Sequence, residues 1–431
     1  MLLGLILLLA CNPDADGGPM GSTADGGSTD GGAVFEDCDP AVTIPWAASS
    51  DPIPAEPHAD SFGSNAPDPF HVHLQWPARD TSRSVAMLWR TDVDTLASVV
   101  EFGPADGFPD NATRVEGYSF RYGGPAAGEG DQRIHEVRLC GLMEPGTTYS
   151  YRVGGDGHWS DTYTYAAPGA PGSFDSFRVA ILGDSRGNYA TWGQVLAAAA
   201  ERQPDFIIFN GDMVDIGSLQ SQWDDWFEAT GDVLAHTVLV PAHGNHEFLA
   251  QHYFAQFAAP GNEEWFALDY GPLLLLTLND TVRDSADISD VQRKFIESEL
   301  AGTDATWKIA SHHHTAYSIC STHGSDLDVR AAWSPAFEDG GVQLVTAGHN
   351  HTYERSVPIK DGVEVAPGQG TVYLVTGGAG APLYTGTDPD WFNAVSDPIE
   401  HYVIADVGPD SMDVVVRDID DNVIDEFSLT P

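Results

Sequence analysis

The stretch Phe177-Arg178-Val179-Ala180-Ile181-Leu182-Gly183-Asp184-Ser185-Arg186 places a mostly apolar run directly before a glycine and an aspartate. A short, continuous apolar run is typical of a strand that is buried on both faces. The same arrangement of apolar run and polar segment recurs four times further along the chain. The later polar segments are Gly211-Asp212-Met213-Val214-Asp215, Gly244-Asn245-His246-Glu247, His312-His313-His314 and Gly348-His349-Asn350-His351.

Helical patterns separate these apolar runs. Residues 191–202 form an alanine-rich pattern, and residues 289–300 predict a helix with Ser289 as its N-cap. Alternating strands and helices predict α/β layering, in which ligands gather beyond the carboxyl ends of the strands. We therefore expect the five polar segments to meet at one place in the fold.

The side chains of these segments are those that two adjacent cations need. A cation pair requires a shared anionic ligand, for which Asp212 is the candidate, while Asp184 would bind one cation alone. Asn245 would add a neutral oxygen, and His313, His349 and His351 would add imidazole nitrogens. Mixed oxygen and nitrogen donors favour Fe, Mn or Zn over Ca or Mg. Two bound cations hold a phosphate, acidify a water and offset the charge on attacking and leaving oxygens.

The segment with Asn245 also carries an acid candidate. His246 would protonate the leaving alkoxide, and Glu247 would orient its ring. A single Gly-Asp or Gly-His-x-His is a weak signal, since each is more often a turn or a core histidine. Five such segments in series, each after an apolar run, favour a two-metal hydrolytic site.

Residues 67–168 show a different pattern. Apolar and polar residues alternate with period two, as in residues 85–89 and 134–139, and Gly, Pro, Asp and Asn clusters separate the runs. Residues 142–153 resemble the corner and following strand of a fibronectin type III-like sandwich. This part of the chain holds no cluster of candidate catalytic residues.

The segment Ala347-Gly348-His349-Asn350-His351-Thr352-Tyr353-Glu354-Arg355-Ser356 resembles the Gly-His-x-His-x-Tyr-Glu-Arg segment of the purple acid phosphatase-like branch of the metallophosphoesterase superfamily. Residues 313–318 and 377–384 resemble two further segments of that branch. The resemblance covers residues 67–431. It implies an α+β multidomain chain, with an N-terminal fibronectin type III-like β-sandwich at 67–168 and a four-layer α/β/β/α catalytic domain at 175–431.

The resemblance implies a phosphoric ester hydrolase, most simply a phosphomonoesterase acting on a phosphate ester substrate. In it, a metal-bridged hydroxide attacks phosphorus, and His246 is the general acid. Phosphodiesterase or nucleotidase activity on the same two metals is an alternative. A second alternative is a cell-surface binding protein whose metal site is degenerate.

The ligand sets also follow from the resemblance. The first metal would be bound by Asp184, Asp212 and His351. The second would be bound by Asp212, Asn245, His313 and His349. The spacing to Tyr317 in the family pattern selects His313 over His312 as the ligand. His314 would contact the substrate phosphate.

The first metal site departs from the family pattern in two ways. The tyrosine of the Gly-Asp-x-x-Tyr pattern is Asp215 here, and the histidine of the alternative Asp-x-His pattern is Arg186. We expect this site to be looser, to hold a different metal, or to be completed by Asp215 or water, and we expect the protein not to be purple. Arg186 would either bind phosphate oxygens or form a salt bridge to an acidic neighbour.

The charge balance excludes some classes of partner. The 431 residues are 42% hydrophobic and include 19 Lys plus Arg against 64 Asp plus Glu, for a net charge of −45. Nucleic acids and anionic membrane surfaces need cationic partners, so neither is expected to bind. The composition is that of a globular chain with a highly charged surface, and it gives no signal of oligomeric state.

The N-terminus predicts export. Residues 2–10 are apolar but too few to span a bilayer, and Leu8-Leu9-Ala10-Cys11 resembles a bacterial lipobox. We expect residues 1–11 to be a signal peptide, residues 12–66 a flexible acidic tether and lead-in, and a lipid on Cys11 the sole membrane contact. The protein would then lie at the outer membrane, in the periplasm or on the cell surface. Since no Lys or Arg precedes the apolar run, plain secretion is the alternative.

Two further predictions concern cysteines and loops. In an oxidising compartment we expect a Cys38–Cys140 disulfide, although sequence alone does not fix the pairing. Cys320 would be a free thiol. Substrate identity would reside in the loops 219–232, 281–290 and 383–397, where Trp223, Trp226 and Trp391 either line a pocket or belong to the core.

Overall fold

The computed structural model describes residues 38, 43–44, 53–124, 130–173, 176–281 and 285–431. The predicted signal peptide, Cys11 and most of the tether lie outside these residues. Within the described ranges, no helix is long and apolar enough to cross a membrane.

The N-terminal domain contains two five-stranded antiparallel sheets, with strand orders β3-β8-β9-β5-β4 and β11-β10-β6-β7, and β12 also pairs with β10. The strands of this part of the chain are β1 Thr43–Ile44, β2 Ile53–Pro54, β3 Glu56–Pro57, β4 Phe70–Gln75, β5 Val85–Thr91, β6 Val99–Pro104, β7 Thr113–Glu116, β8 Tyr118–Gly124, β9 Gly130–Leu139, β10 Thr148–Gly155, β11 His158–Trp159 and β12 Tyr163–Ala166. Trp89, Val100 and Tyr151 are fully buried and belong to the hydrophobic core.

Two local features pin this domain. The hydroxyl of Tyr149 accepts a hydrogen bond from the backbone N–H of Glu144 at 2.9 Å, which closes the predicted corner. Cys38 and Cys140 form a disulfide, and Cys320 is free and buried. The disulfide ties residue 38 to the end of the sheet strand β9.

The end of the lead-in is part of the sheet, so strand pairing begins before the predicted domain boundary at residue 67. Strand β3 pairs with β8, and the backbone N–H of His58 donates to the carbonyl of Gly117 at 3.0 Å. The side chain of Ile53 is buried. Two-residue strands are too short to show the period-two pattern by which strands are predicted.

The catalytic domain contains two mixed sheets, with strand orders β15-β14-β13-β25-β26-β27 and β16-β17-β18-β19-β23-β20-β24. Its strands are β13 Phe177–Leu182, β14 Phe206–Phe209, β15 Val238–Pro241, β16 Phe266–Tyr270, β17 Leu273–Thr277, β18 Trp307–Ser311, β19 Leu344–Ala347, β20 Tyr353–Ser356, β21 Ile359–Lys360, β22 Val363–Glu364, β23 Val372–Thr376, β24 Asn393–Asp397, β25 His401–Val407, β26 Met412–Asp418 and β27 Val423–Leu429, of which β21 and β22 form a separate hairpin. Its helices are α1 Tyr189–Ala200, α2 Gln220–Glu228, α3 Val233–His236, α4 Gln251–Gln256, α5 Arg293–Ala301 and α6 Leu327–Gly340, with a 3-10 helix Asn245–Glu247 and a π-helix Asp287–Gln292.

Alternate side chains of the central strands face opposite layers. Val179 and Ile181 of β13 pack in one core with Ile309 of the second sheet, whereas Leu182 packs in another core with Trp192 of α1. On the second sheet, even-numbered residues of β17 pack in a third core with α5 and α6. The domain therefore has the predicted four layers, with two sheets between two helical layers.

Two segments differ from the predicted helices and loops. Ser289 lies inside the helical segment that begins at residue 285, and its hydroxyl donates to the carbonyl of Ser285, so it is not an N-cap. Part of the predicted loop 219–232 is the helix α2. Its Trp223 and Trp226 are fully buried, while Trp391 is 48% exposed. The first two tryptophans therefore belong to the core.

The parallel strands bring the five polar segments together. Strands β13, β14 and β15 are parallel, as are β17, β18 and β19. Leu182 is paired with Phe209, and Phe209 with Pro241, so the segments after these strands begin at one level of the sheet. This edge is where the candidate ligands lie.

Candidate metal centre

Three of the candidate ligands have a left-handed backbone. Asp184, Asp212 and His349 have φ angles of 59°, 57° and 65°. Such a conformation costs a non-glycine residue on the order of 1–3 kcal/mol and persists where the surrounding structure enforces it. The three strained residues all follow strand ends and all lie at this edge of the sheets.

Neighbouring glycines allow the chain segments to approach closely. A Cβ atom on Gly244 would lie 2.1 Å from the backbone nitrogen of Asp212, and one on Gly348 would lie 2.2 Å from Oδ2 of Asp184. Any side chain at either position would push into a candidate ligand. The Gly residues that open the third and fifth polar segments are therefore required by packing.

The first half of the centre consists of Asp184, Asp212 and His351. One ligand atom from each lies within 4.8 Å of the others, and all three side chains are buried. Nδ1 of His351 donates to the carbonyl of Pro382 at 2.8 Å, which leaves the lone pair on Nε2, 3.5 Å from Oδ1 of Asp184. These atoms could together hold one metal ion, and they are the set that the family resemblance implies for the first metal.

The second half consists of Asn245, His313, His349 and the shared Asp212. Oδ1 of Asn245 lies 2.9 Å from Nε2 of His313 and 3.0 Å from Nδ1 of His349. Oδ1 of Asp212 lies 3.2 Å from Nε2 of His313. Nδ1 of His313 donates to the carbonyl of Asn210 at 2.7 Å, so its Nε2 is directed at the ligand cluster. Carboxylate, amide and imidazole donors in one cluster fit Fe, Mn or Zn.

Electrostatics show that this cluster is built to hold positive charge. Burial alone would raise the pKa of Asp212, but the charge and hydrogen bond of His313 hold it well below its usual range. Burial would lower the pKa of His313, and the nearby Asp212 carboxylate instead raises it to about 10. Burial and the neighbouring His313 lower the pKa of His349. In the absence of metal, the proton on His313 supplies the positive charge beside Asp212, and a bound cation would supply that charge instead.

Glu247 has a different task from the predicted one. Its buried carboxylate accepts hydrogen bonds from the backbone N–H groups of Asp212, Met213 and Gly244 at 2.9, 2.8 and 2.8 Å. The predicted contact between Glu247 and the His246 ring is therefore wrong, because both carboxylate oxygens are engaged by the backbone. Glu247 instead fixes the segment that carries the shared ligand.

His246 is oriented by a backbone carbonyl. Its Nδ1 donates to the carbonyl of Asp215 at 2.8 Å, which leaves Nε2 4.0 Å from Oδ2 of Asp212. The side chain is 26% exposed, whereas Asp212 and His313 are buried. Its ring therefore lies between the shared carboxylate and solvent, where a leaving group would depart.

Asp215 and Arg186 form an ion pair beside the first half. Nη1 of Arg186 lies 3.1 Å from Oδ1 of Asp215, and Nε lies 3.3 Å from Oδ2 of Asp212. Asp215 is not a member of the ligand group Asp184, Asp212 and His351. The geometry favours the salt-bridge alternative for Arg186, and its contact with substrate phosphate stays a prediction.

His314 is held by an aspartate that the sequence reasoning missed. The buried carboxylate of Asp280 lies 3.1 Å from Nδ1 of His314 and 2.9 Å from Nδ1 of His312. Burial would raise the pKa of Asp280, but these two histidines hold it well below its usual range. His312 is thus engaged away from the ligand cluster, whereas a nitrogen of His314 lies within 4.8 Å of ligand atoms of His313 and His349. Asp280 follows the apolar strand β17, which is the signal that would have found it.

A cleft of about 380 Å³ opens beside the second half. His314, His349 and His323 contribute to its lining, and the rings of His323 and His349 are 4.3 Å apart. The ring of Tyr384 stacks on His351 at 4.2 Å. His323 is a lone histidine in a Ser, Thr and Gly loop, and no sequence pattern marks it as a site residue.

Comparisons with known proteins agree with this geometry. Residues 177–353 match the calcineurin-like phosphoesterase family, and residues 69–167 match the purple acid phosphatase N-terminal domain. A Mycobacterium tuberculosis protein described as uncharacterized is 27% identical over 381 residues, which is 74% of this chain and 70% of the relative. Human acid phosphatase type 7 is 27% identical over 358 residues, covering 74% and 80%. Purple acid phosphatase 22 of Arabidopsis thaliana is 25% identical over 307 residues, covering 67% of each.

Solved structures share the fold. The purple acid phosphatase from yellow lupin seeds superposes with a TM-score of 0.74 at 22% identity, covering 84% of this chain and 74% of that one. The structure of PhoD superposes with a TM-score of 0.65 at 13% identity, covering 86% and 94%.

The chain therefore carries a calcineurin-like phosphoesterase domain preceded by a purple acid phosphatase N-terminal domain. These two domains, together with acid phosphatases among the relatives, support a phosphoester hydrolase.

Proposed function

We propose that this protein is an exported phosphomonoesterase that uses two metal ions. The observation that carries the proposal is the convergence of Asp184, Asp212, Asn245 and three histidines at one edge of two sheets, with His246 beside them. The names of the acid phosphatase relatives support the monoester class of substrate.

The residues of the chain divide the work. When bound, metal ions hold phosphate oxygens and make a water molecule acidic enough to attack phosphorus. Asp212 holds the two halves together, because its Oδ1 faces His313 and its Oδ2 faces Arg186. His246 donates the proton from Nε2 to the departing oxygen, since its Nδ1 is committed to the carbonyl of Asp215.

Phosphodiesterase or nucleotidase activity is a second candidate. The cleft lined by His314 and His323 offers space beside the centre for a larger leaving group. Hydrolysis rates for a chromogenic phosphomonoester and a matched diester decide between the two. A monoester rate above the diester rate is expected, and the reverse ratio would favour the second candidate.

A cell-surface binding protein with a degenerate metal site is the alternative from another class. The ion pair of Arg186 with Asp215 at the first half favours it, and one relative is named a probable inactive purple acid phosphatase. Against it, both sheets of the N-terminal domain already contact the catalytic domain. Tyr151 donates to the carbonyl of Ala235 at 2.5 Å, and Gln75 donates to that of Leu239 at 2.9 Å. Metal content with turnover of the chromogenic ester would remove this alternative.

Export is supported by the apolar segment before Cys11 and by the Cys38–Cys140 disulfide, since disulfides persist in oxidising compartments. We propose lipid anchoring at Cys11 outside the cytoplasm. Fractionation of cells expressing the full chain and its Cys11→Ser variant tests this step. Release of the variant, but not of the parent, from membranes is expected; equal release of both would leave plain secretion.

A further inference from the structure

The guanidinium of Arg186 lies against atoms that a cation in the first half would contact. Nε is 3.3 Å from Oδ2 of Asp212, and Nη2 is 3.5 Å from Nε2 of His351. Nδ1 of His351 is committed to the carbonyl of Pro382, so its Nε2 lone pair is the one available to a metal. The arginine therefore contacts two of the atoms that would bind a metal in the first half.

The position of Arg186 is fixed by its backbone. The N–H groups of Ser185 and Arg186 both donate to the carbonyl of Asp212, at 3.1 and 3.2 Å. The hydroxyl of Ser185 also accepts from the indole N–H of the buried Trp226 at 2.8 Å. Asp215 holds the far side of the guanidinium, and the side chain is only 17% exposed. The guanidinium is thus positioned by two segments of the centre and is not a mobile surface group.

The second half has a different neighbourhood. Oδ1 of Asn245 lies between Nε2 of His313 and Nδ1 of His349, and the Asp212 oxygen that faces His313 is Oδ1, not the Oδ2 that Arg186 contacts. An arginine is permanently charged, and like charges a few ångströms apart repel. A metal bound by Asp184, Asp212 and His351 would have to displace or tolerate that charge, whereas one bound by Asn245, His313 and His349 would share only Asp212 with the arginine.

We infer that Arg186 is a built-in cation that weakens metal binding in the first half, so that the enzyme retains its second-half metal tightly and fills the first half only when free divalent metal is plentiful. Turnover by the two-metal enzyme then follows the supply of free metal. This inference rests on the metal assignment in the proposed function.

Metal titration of the full chain tests it. Metal-stripped protein is titrated with Mn²⁺ by calorimetry, and its metal content is measured by elemental analysis after dialysis against a weak chelator. We expect the wild type to retain about one ion per chain and to bind the next at least about 100-fold more weakly. Arg186→Ala should tighten the weaker site about tenfold or more, because the competing charge is gone. Arg186→Lys, which keeps the charge, should tighten it less than Arg186→Ala does.

The control is Arg114→Ala. Arg114 also lies between two carboxylates, those of Asp156 at 3.0 Å and Asp60 at 3.9 Å, but in the N-terminal domain. The Arg114→Ala variant should bind metal at both sites with the wild-type affinities. Two equally tight sites in the wild type would overturn the inference, and this measurement needs no variant. An unchanged weak site in Arg186→Ala would overturn it too. Retention of no metal by the wild type would instead sink the proposed function along with the inference.

Discussion

The two halves of the metal centre share one carboxylate but differ in what surrounds it. The second half contains Asn245, His313 and His349, and the Asn245 oxygen lies within hydrogen-bond distance of a nitrogen of each histidine. The first half contains Asp184 and His351, and an arginine lies against its ligand atoms. The difference teaches that the number of ligands alone does not predict which site binds metal more tightly, because a fixed charge beside the site also changes its metal affinity.

The largest expected effect comes from the ligand that belongs to both halves. Asp212→Asn removes the shared negative charge, so we expect loss of metal from both halves and a fall in kcat/KM of at least about 10³-fold. Elemental analysis and hydrolysis of a chromogenic monoester measure the two effects. If the variant keeps metal and activity, Asp212 is not the bridge between the halves.

The next largest effect separates proton transfer from metal binding. His246→Asn should lower kcat about 10²–10⁴-fold for an ester with a poor leaving group, because the general acid is lost. The loss should shrink for a leaving group that departs as a stable anion. Metal content should stay at the wild-type value. Equal losses for both leaving groups would remove His246 from the role of acid.

A stability measurement tests how Glu247 holds the segment that carries Asp212. Glu247→Gln replaces a buried acceptor of backbone N–H groups by an amide that presents its own N–H₂ to them. We expect the free energy of unfolding in urea to fall by about 3 kcal/mol. Glu297→Gln, which alters an exposed pair with Arg293, is the control and should change it by less than about 0.5 kcal/mol. Similar losses in both variants would contradict the assigned task of Glu247.

The pH dependence of stability tests whether the charge of Asp280 holds His314 in place. The pKa of Asp280 is lowered in the folded state. Its contribution to the free energy of unfolding is therefore fully present above the pKa of the unfolded state and is lost as the pH falls towards the pKa of the folded state. Asp280→Asn should therefore cost about 2–3 kcal/mol of unfolding free energy at pH 7, and the difference should narrow below about pH 4. Denaturation in urea at several pH values measures it. A gap that does not change with pH would mean that the Asp280 charge is not the stabilising feature.

The parts predicted from sequence are those encoded locally. Each polar segment follows its own strand within a few residues, and parallel strands then bring the segments to one edge without further information. The period-two pattern of residues 67–168 and the later alternation of strands and helices likewise predicted a β domain followed by α/β layering, while the four layers were implied by the family resemblance. The choice of His313 over His312 rested on the spacing to Tyr317 in the family pattern, and the structure brings His313 to Asn245.

The parts that sequence did not predict depend on contacts between distant residues. Glu247 accepts hydrogen bonds from the backbone of a segment some thirty residues away, and Asp280 contacts His314, which follows the next strand along the chain. The helix Gln220–Glu228 was predicted as a loop because its packing of Trp223 and Trp226 decides its state more than helix propensity does. The contacts of Arg186 with Asp212 and His351 are of the same kind.

The central claim is that the chain is a metal-dependent phosphoesterase, and metal removal tests it most directly. Protein stripped with a strong chelator and then dialysed is assayed with a chromogenic phosphomonoester before and after addition of Zn²⁺, Mn²⁺ or Fe²⁺. The account predicts that activity falls to the level of the Asp212→Asn variant on stripping and returns on addition of metal. Full activity in stripped protein, or no activity in protein shown to contain two metals, would contradict it.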